Sequence, residues 1–292
     1  MTDPSDSGKV YLNGRWVPAA EAMIPVADHG LLYGMGFFET FRTSGGQVHH
    51  WEYHRRRLDQ ACARLGFAIP ASFLAHDEVG RETAVRTILA ESGSVDAVFR
   101  YTITAGAGGT PSEFLTVRPL PASPDSHGIR LRCLKITRDN GEWLPRPKSL
   151  NYANAMLGSR ELRTRGADEH EEGLFLTRDA EFVVETARQN LAWIVGGRLR
   201  FPDPALGGVA GTCLAWMLER EPEAQPVRAS FEEFLSAEAI LVCNAVRGFT
   251  PVKSVNDRSD TVRVADLESW KHPLFVSLQQ RWAAALNCTA KG

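Results

Sequence analysis

One cluster of chain breakers constrains this sequence more than any other feature. Pro119, Pro121 and Pro124 surround the polar run Ser123-Pro124-Asp125-Ser126. Proline cannot extend a ladder or a helix interior, so such a cluster marks a linker between folding units. It divides the chain into residues 1–121, a linker at 122–128 and a larger part at 129–292. At 292 residues there is mass for two units of ordinary size.

The two parts differ in pattern. In the first, Asn13-Gly14 separates two apolar runs, the strongest short-range hairpin signal. A strand over Phe37–Thr43 passes through Ser44-Gly45-Gly46 into Gln47-Val48, a second hairpin. Helices follow over 50–65, with Trp51, Leu58, Ala61 and Leu65 on one face, and from Asp77 as N-cap, carrying Val79, Val85, Ile88 and Leu89. Strands over 97–104 and 114–120 complete a small α+β unit. Beyond the linker, strands are expected at 129–136, 173–177, 191–195, 198–201 and 239–243, the third and fourth joined at Gly196-Gly197. Helices are expected at 152–165, 211–221, 230–236 and 273–286, and Ser230 with Glu233 reads as a capping box. The alternation lacks a regular βαβ rhythm, so the fold class is α+β.

Composition narrows the function classes. A net charge of -2 gives no global attraction to nucleic acid or anionic membrane, so neither is an expected partner. No apolar stretch is long enough to span a bilayer, and the polar, acidic start is unlike a signal peptide. Five scattered cysteines without CxxC spacing argue against a metal or disulfide framework and for a reducing cytoplasm.

Of 33 basic residues only six are lysines, at 9, 135, 148, 253, 271 and 291, so each can be weighed singly. Lys9 and Lys291 lie in tails, and Lys271 in a polar approach to the last helix. Lys148 follows the stiff Pro145-Arg146-Pro147 and precedes a helix entry at Ser149-Leu150-Asn151-Tyr152. A Schiff-base lysine must be held rigidly and lose its proton near neutral pH. On these residues alone, a solvated surface lysine stays open beside that reading. Glu185 closes the run Phe182-Val183-Val184, with Asn190 five residues on; it is either a pocket carboxylate able to pair with a protonated ring nitrogen or a surface charge. Gly207-Gly208-Val209-Ala210-Gly211-Thr212-Cys213 enters an apolar helix, as a phosphate site or a plain glycine turn. Of the triplet Arg55-Arg56-Arg57, at most one can face inward, because successive helical residues point about 100° apart.

Their order is what gives these signals weight. Asp28-His29-Gly30-Leu31-Leu32-Tyr33-Gly34-Met35-Gly36-Phe37-Phe38-Glu39-Thr40-Phe41-Arg42 resembles the signature opening of the class IV aminotransferases, followed by HxxRL at His54–Leu58, Lys148, ExxxxN at Glu185–Asn190 and the Gly-Thr helix entry. The resemblance implies a fold-type IV architecture, D-amino-acid aminotransferase-like, with a small N-terminal α/β sandwich and a larger C-terminal pseudo-barrel that carries the lysine. It implies pyridoxal 5'-phosphate held covalently by Lys148, with Arg57 and the Gly211, Thr212 and Cys213 entry on the phosphate. Tyr152 falls to the ring hydroxyl, Glu185 to the ring nitrogen, and Asn244 to the cofactor side of the late strand. A homodimer is implied by the resemblance only. Cys213-Leu214 stands where the family has Thr-Arg, and Ala245 replaces a second phosphate-side hydroxyl, which predicts weaker cofactor affinity.

Two reactions remain open. The late strand Leu241-Val242-Cys243-Asn244-Ala245-Val246-Arg247-Gly248-Phe249-Thr250-Pro251-Val252 is similar to that of the aminodeoxychorismate lyases, as are Phe38–Arg42 and the Lys-to-Tyr spacing of four. These imply elimination of pyruvate from 4-amino-4-deoxychorismate to leave 4-aminobenzoate, a folate precursor. Arg42, Arg100 and Arg247 are candidates for the substrate carboxylate, since a guanidinium can grip it bidentately. The alternatives are a transaminase acting on a branched-chain, D-amino or specialised-metabolite amine, and a non-catalytic cofactor-binding protein.

Overall fold

Asn13 and Gly14 take positive φ of 47° and 91°, the geometry of a tight hairpin turn. They join β1 (Lys9–Leu12) to β2 (Arg15–Pro18) in the register Leu12↔Arg15. The computed structural model describes residues 8–67, 69, 78–122, 126–138 and 146–288. The expected N-cap Asp77, the linker residues Ser123–Asp125, Pro145 and Lys291 lie outside the described residues.

Contacts divide the chain into two units. The first continues through α1 (His29–Tyr33), β3 (Gly36–Ser44), β4 (Gln47–Val48), α2 (Trp51–Leu65), α3 (Glu78–Ser92), β5 (Ala97–Ala107) and β6 (Thr110–Pro119). Its strands form one antiparallel sheet in the order β2-β1-β6-β5-β3-β4. Alternate residues of β3 serve opposite faces. Phe41 stacks on Phe99 at 5.6 Å and meets Trp51 of α2 edge-on at 5.2 Å, so α2 covers the face that carries Phe37, Glu39 and Phe41. Leu58, Ala61, Val85, Ile88 and Leu89 are buried, as the helical periodicity predicts.

The second unit contains β7 (Ile129–Cys133), α4 (Ala153–Thr164), β8 (Glu171–Leu176), β9 (Val183–Thr186), β10 (Asn190–Val195), β11 (Arg198–Pro202), α5 (Thr212–Leu218), β12 (Gln225–Val227), α6 (Phe231–Leu235), β13 (Ala239–Asn244), β14 (Gly248–Asn256) and β15 (Val262–Val264). A last helix, α7 (Pro273–Cys288), ends the described chain. The sheet is mixed, in the order β12-β11-β10-β13-β14-β7-β8-β9 with β15 beside β14. Three pairs are parallel: β11 with β12, β14 with β7, and β7 with β8. Leu131, Leu174, Leu191, Trp193, Phe234, Ile240, Val242 and Val252 form its main core.

Of the boundaries that differ from the sequence expectation, two have a visible cause. The strand expected over 129–136 stops at Cys133 because the carboxylate of Glu161 takes the N–H groups of Lys135 and Ile136 at 2.8 and 3.0 Å. Residues 147–151, which the sequence assigns to the larger part, group with the first unit, as does the described chain from Ala283. The cause at 147–151 is main-chain pairing with β3.

Candidate active site

In the first unit, the opening motif is the seat of the lysine segment. Asp28 caps α1 by accepting from Gly30 N–H at 2.7 Å and from the Thr104 hydroxyl at 2.7 Å, which fixes α1 on β5. Gly34 closes α1 in the left-handed region at φ 68°, and any Cβ there would strike the side chain of Asn151. Gly36 lies so close to the Ile103 carbonyl and to Leu150 that no side chain fits. Leu150 N–H donates to the Gly36 carbonyl at 3.0 Å, and Phe38 N–H donates to the Lys148 carbonyl at 2.9 Å. Ser149 bridges Phe37, so residues 148–150 pair with β3 through a single antiparallel bridge.

The half-buried Lys148 places its Nζ 4.6 Å from the centre of the Phe38 ring. The Arg100 guanidinium carbon lies 3.6 Å from the same centre. Arg100 is the cross-strand partner of Thr40, so Phe38, Thr40, Arg42 and Arg100 share one sheet face. Arg42, half-buried, donates through Nε to the Thr43 carbonyl at 3.2 Å. Burial lowers its pKa, which Asp96 opposes.

Arg57 engages the other face of β3. Its Nε donates to Glu39 Oε1 at 2.8 Å and its Nη2 to Oε2. His54 Nδ1 meets the same Oε2 at 2.6 Å. Burial by itself would raise the pKa of Glu39, but the charge of Arg57 and the hydrogen bonds from His54 and Arg57 outweigh it and bring it down to about 2. Arg55 and Arg56 are exposed, so one arginine of the three faces inward, as expected.

The second unit gathers a different set. Glu185, 3% exposed, pairs with Arg138 through Oε1. Its Oε2 accepts from Val209 N–H at 2.9 Å and lies 3.5 Å from Asn190 Nδ2. Asn190 Nδ2 also donates to the Val209 carbonyl at 2.8 Å, and Arg146 bridges Val209. Arg138 reaches Asn154 Oδ1 at 3.1 Å and lies over the Phe175 ring at 4.8 Å. Tyr152, at the N-cap of α4, donates its hydroxyl to the Ala187 carbonyl at 3.2 Å. Gly211 is the N-cap of α5, and a Cβ there would fall on the Asn190 amide oxygen.

Thr212 is buried at the first turn of α5. Cys213 is fully buried; burial first, then its contact with Cys243, raises its pKa, so its thiol belongs to the core. Asn244 Oδ1 accepts from Val246 and Arg247 N–H at 3.0 and 2.9 Å, so its side chain shapes the β13–β14 turn that holds the half-buried Arg247.

Three residues absent from the sequence-derived set emerge. Glu39 and His54 hold Arg57, and Arg138 holds Glu185. A signal for Glu39 exists, since a carboxylate stands at an apolar-face position of a strand between Phe37 and Phe41. Arg138 carries no comparable local signal. Among the described residues no cluster of His, Cys, Asp or Glu is arranged to hold a metal ion, and no helix is long and apolar enough to cross a membrane.

Against known proteins, the profile of the family described as Amino-transferase class IV matches residues 36–255. A Methanocaldococcus jannaschii protein with the provisional name branched-chain-amino-acid aminotransferase is 28% identical over 289 residues, covering 94% of this chain and 97% of its own. Aminodeoxychorismate lyase of Bacillus subtilis is 29% identical over 265 residues, covering 85% and 87%. The crystal structure of 4-amino-4-deoxychorismate lyase from Pseudomonas aeruginosa superposes with a TM-score of 0.76 at 28% identity, covering 94% of this chain and 98% of that one.

Proposed function

The chain belongs to the class IV aminotransferase family, and from that premise we propose a pyridoxal 5'-phosphate enzyme that converts 4-amino-4-deoxychorismate to 4-aminobenzoate and pyruvate. The observation that carries the cofactor assignment is the seating of Lys148, whose main chain is clipped to β3 by the glycine-rich opening motif. Its backbone is fixed while its amine keeps a four-carbon reach over an apolar ring.

The residues present fit the group. Glu185 is a buried carboxylate suited to a ring nitrogen, and Gly208 lets main chain run past it with 3.6 Å between a notional Cβ and its Oε2. In the second unit the α5 entry at Gly211–Thr212 carries N–H donors and a hydroxyl suited to a phosphate, and Tyr152 a phenol suited to the ring hydroxyl; in the first unit Arg57 carries a guanidinium suited to a phosphate. The bound cofactor would supply an electron sink. Lys148 would act as base: it would take the ring proton as the ring C–O bond breaks, the ring becoming aromatic and the ether leaving as the enolate of pyruvate, which takes up a proton to give pyruvate. Arg100, on the sheet face of Phe38, grips a substrate carboxylate, with Arg42 next on that face. Arg247 is the third candidate, from the β13–β14 turn.

The lyase reading draws on the late-strand motif and the similarity to the Bacillus subtilis lyase. Transamination is favoured by the near-complete coverage of the Methanocaldococcus jannaschii relative. Purified protein given aminodeoxychorismate alone should release pyruvate and 4-aminobenzoate; product formation only with an amino donor plus a keto acid would reject elimination.

We also propose a homodimer. Leu31, Leu32 and Tyr33 of α1 are 65%, 53% and 64% exposed, and Met23 and Val26, a few residues earlier, are exposed as well, apolar side chains that a second copy would cover. Light scattering at assay concentration should return twice the chain mass.

A further inference from the structure

Glu39 lies beneath the surface of the first unit with 1% exposure, and no step of the proposed reaction uses it. It nevertheless meets Arg57 at two points. The Nε–Oε1 contact is 2.8 Å, and Nη2 binds Oε2. A side-on pair of this kind fixes the plane of a guanidinium, which a single contact would leave free to rotate. His54 Nδ1, at 2.6 Å from Oε2, fixes the carboxylate in turn. Because Glu39 is ionised, His54 is the Nδ1–H tautomer, and its ring is held between Phe41 at 5.9 Å and Trp51 at 6.3 Å. The chain His54–Glu39–Arg57 therefore runs from a packed aromatic cluster to the one inward-facing guanidinium of the triplet. His54 and Arg57 stand three apart on α2, so one turn of helix presents both to the carboxylate.

We infer that Glu39, braced by His54, is a positioning residue that aims the guanidinium of Arg57 at the phosphate of the cofactor. This rests on the reading that Arg57 receives that phosphate. Burying a carboxylate beside an arginine meant for an anion partly cancels its charge, so orientation and field make opposite predictions. If field dominates, removing the Glu39 charge tightens phosphate binding; if orientation dominates, removal weakens it.

The test compares the affinity of the apoprotein for pyridoxal 5'-phosphate with that for pyridoxal, which lacks the phosphate. Glu39→Gln should weaken phosphate-bearing cofactor about tenfold, equivalent to about 1.4 kcal/mol, and leave pyridoxal within twofold. Glu39→Asp, with the carboxylate drawn back by one methylene, should fall between. A general loss of structure would weaken both ligands alike and would overturn the inference, as would unchanged or tighter phosphate binding. Failure of both variants to fold would assign Glu39 to stability alone and would overturn it equally. Arg57→Ala separates this from the underlying reading: if it weakens both ligands equally, Arg57 does not receive the phosphate, whatever Glu39 does.

Discussion

The carbonyl of Lys148 accepts a hydrogen bond from Phe38 N–H at 2.9 Å, so the residue assigned the covalent chemistry is held to β3 through its main chain. The amine can therefore be removed without releasing the segment. Lys148→Ala should keep the wild-type unfolding free energy to within about 1 kcal/mol, since the main-chain pairing stays and the contact with the Phe38 ring is what is lost. The same variant should lose the visible absorbance of covalently held cofactor and its turnover. A surviving absorbance band would defeat the assignment of this lysine.

Glu185 and Arg138 form a buried pair in the second unit, each under 10% exposed in its side chain. Removing one partner of such a pair leaves a buried charge and costs roughly 3–5 kcal/mol. Arg138→Met should show that loss in urea unfolding. The double variant Arg138→Met/Glu185→Met should recover most of it, since paired apolar replacements are often neutral, while remaining inactive. Additive losses in the double variant would show that the two side chains act independently.

The hairpins, the capping box at Ser230 and Glu233, and the single inward arginine of the triplet were legible because each depends on residues within a few positions. The order of motifs carried the family in the same way. What was not legible depends on distance along the chain. Arg138 meets Glu185 across 47 residues and Arg57 meets Glu39 across 18, and nothing local to either end announces the other. The parallel pairing of β14 with β7 brings together segments more than a hundred residues apart, with no hairpin turn to signal it. Proximity along the chain places Lys148 in the larger unit, whereas its partners Gly36–Phe38 lie in β3.

Gly211 and Gly208 stand three residues apart and should respond differently. A Cβ on Gly211 would overlap the Asn190 amide, which secures Val209 and reaches Glu185. Gly211→Ala should cost roughly 1–3 kcal/mol through overpacking and weaken cofactor binding as well. A Cβ on Gly208 meets nothing nearer than 3.6 Å, so Gly208→Ala should be stable to within about 0.5 kcal/mol. Equal stability of both variants in thermal melts would reject the Asn190 clamp.

Acid should lower stability over two overlapping pH ranges, both set by groups of the first unit. Burial brings the pKa of His49 down to about 3, with His50, Arg42 and His54 adding to the effect and Glu52 opposing it. His54 is also lowered, chiefly by burial. A histidine depressed in the folded state binds its proton more readily when unfolded, at an ordinary value near 6.5. Its contribution is therefore complete above pH 6.5 and is lost as pH falls below that value, down to about 3 for His49, at up to about 1.4 kcal/mol per pH unit. Glu39 follows at lower pH: its contribution is complete above its ordinary value of 4.5 and disappears toward 2. Urea unfolding of the apoprotein across pH 3 to 7 should show stability rising with pH, and His49→Phe should flatten the part of the profile between pH 3 and 6.5. A wild-type profile level over that range would mean that these histidines are charged in the folded protein.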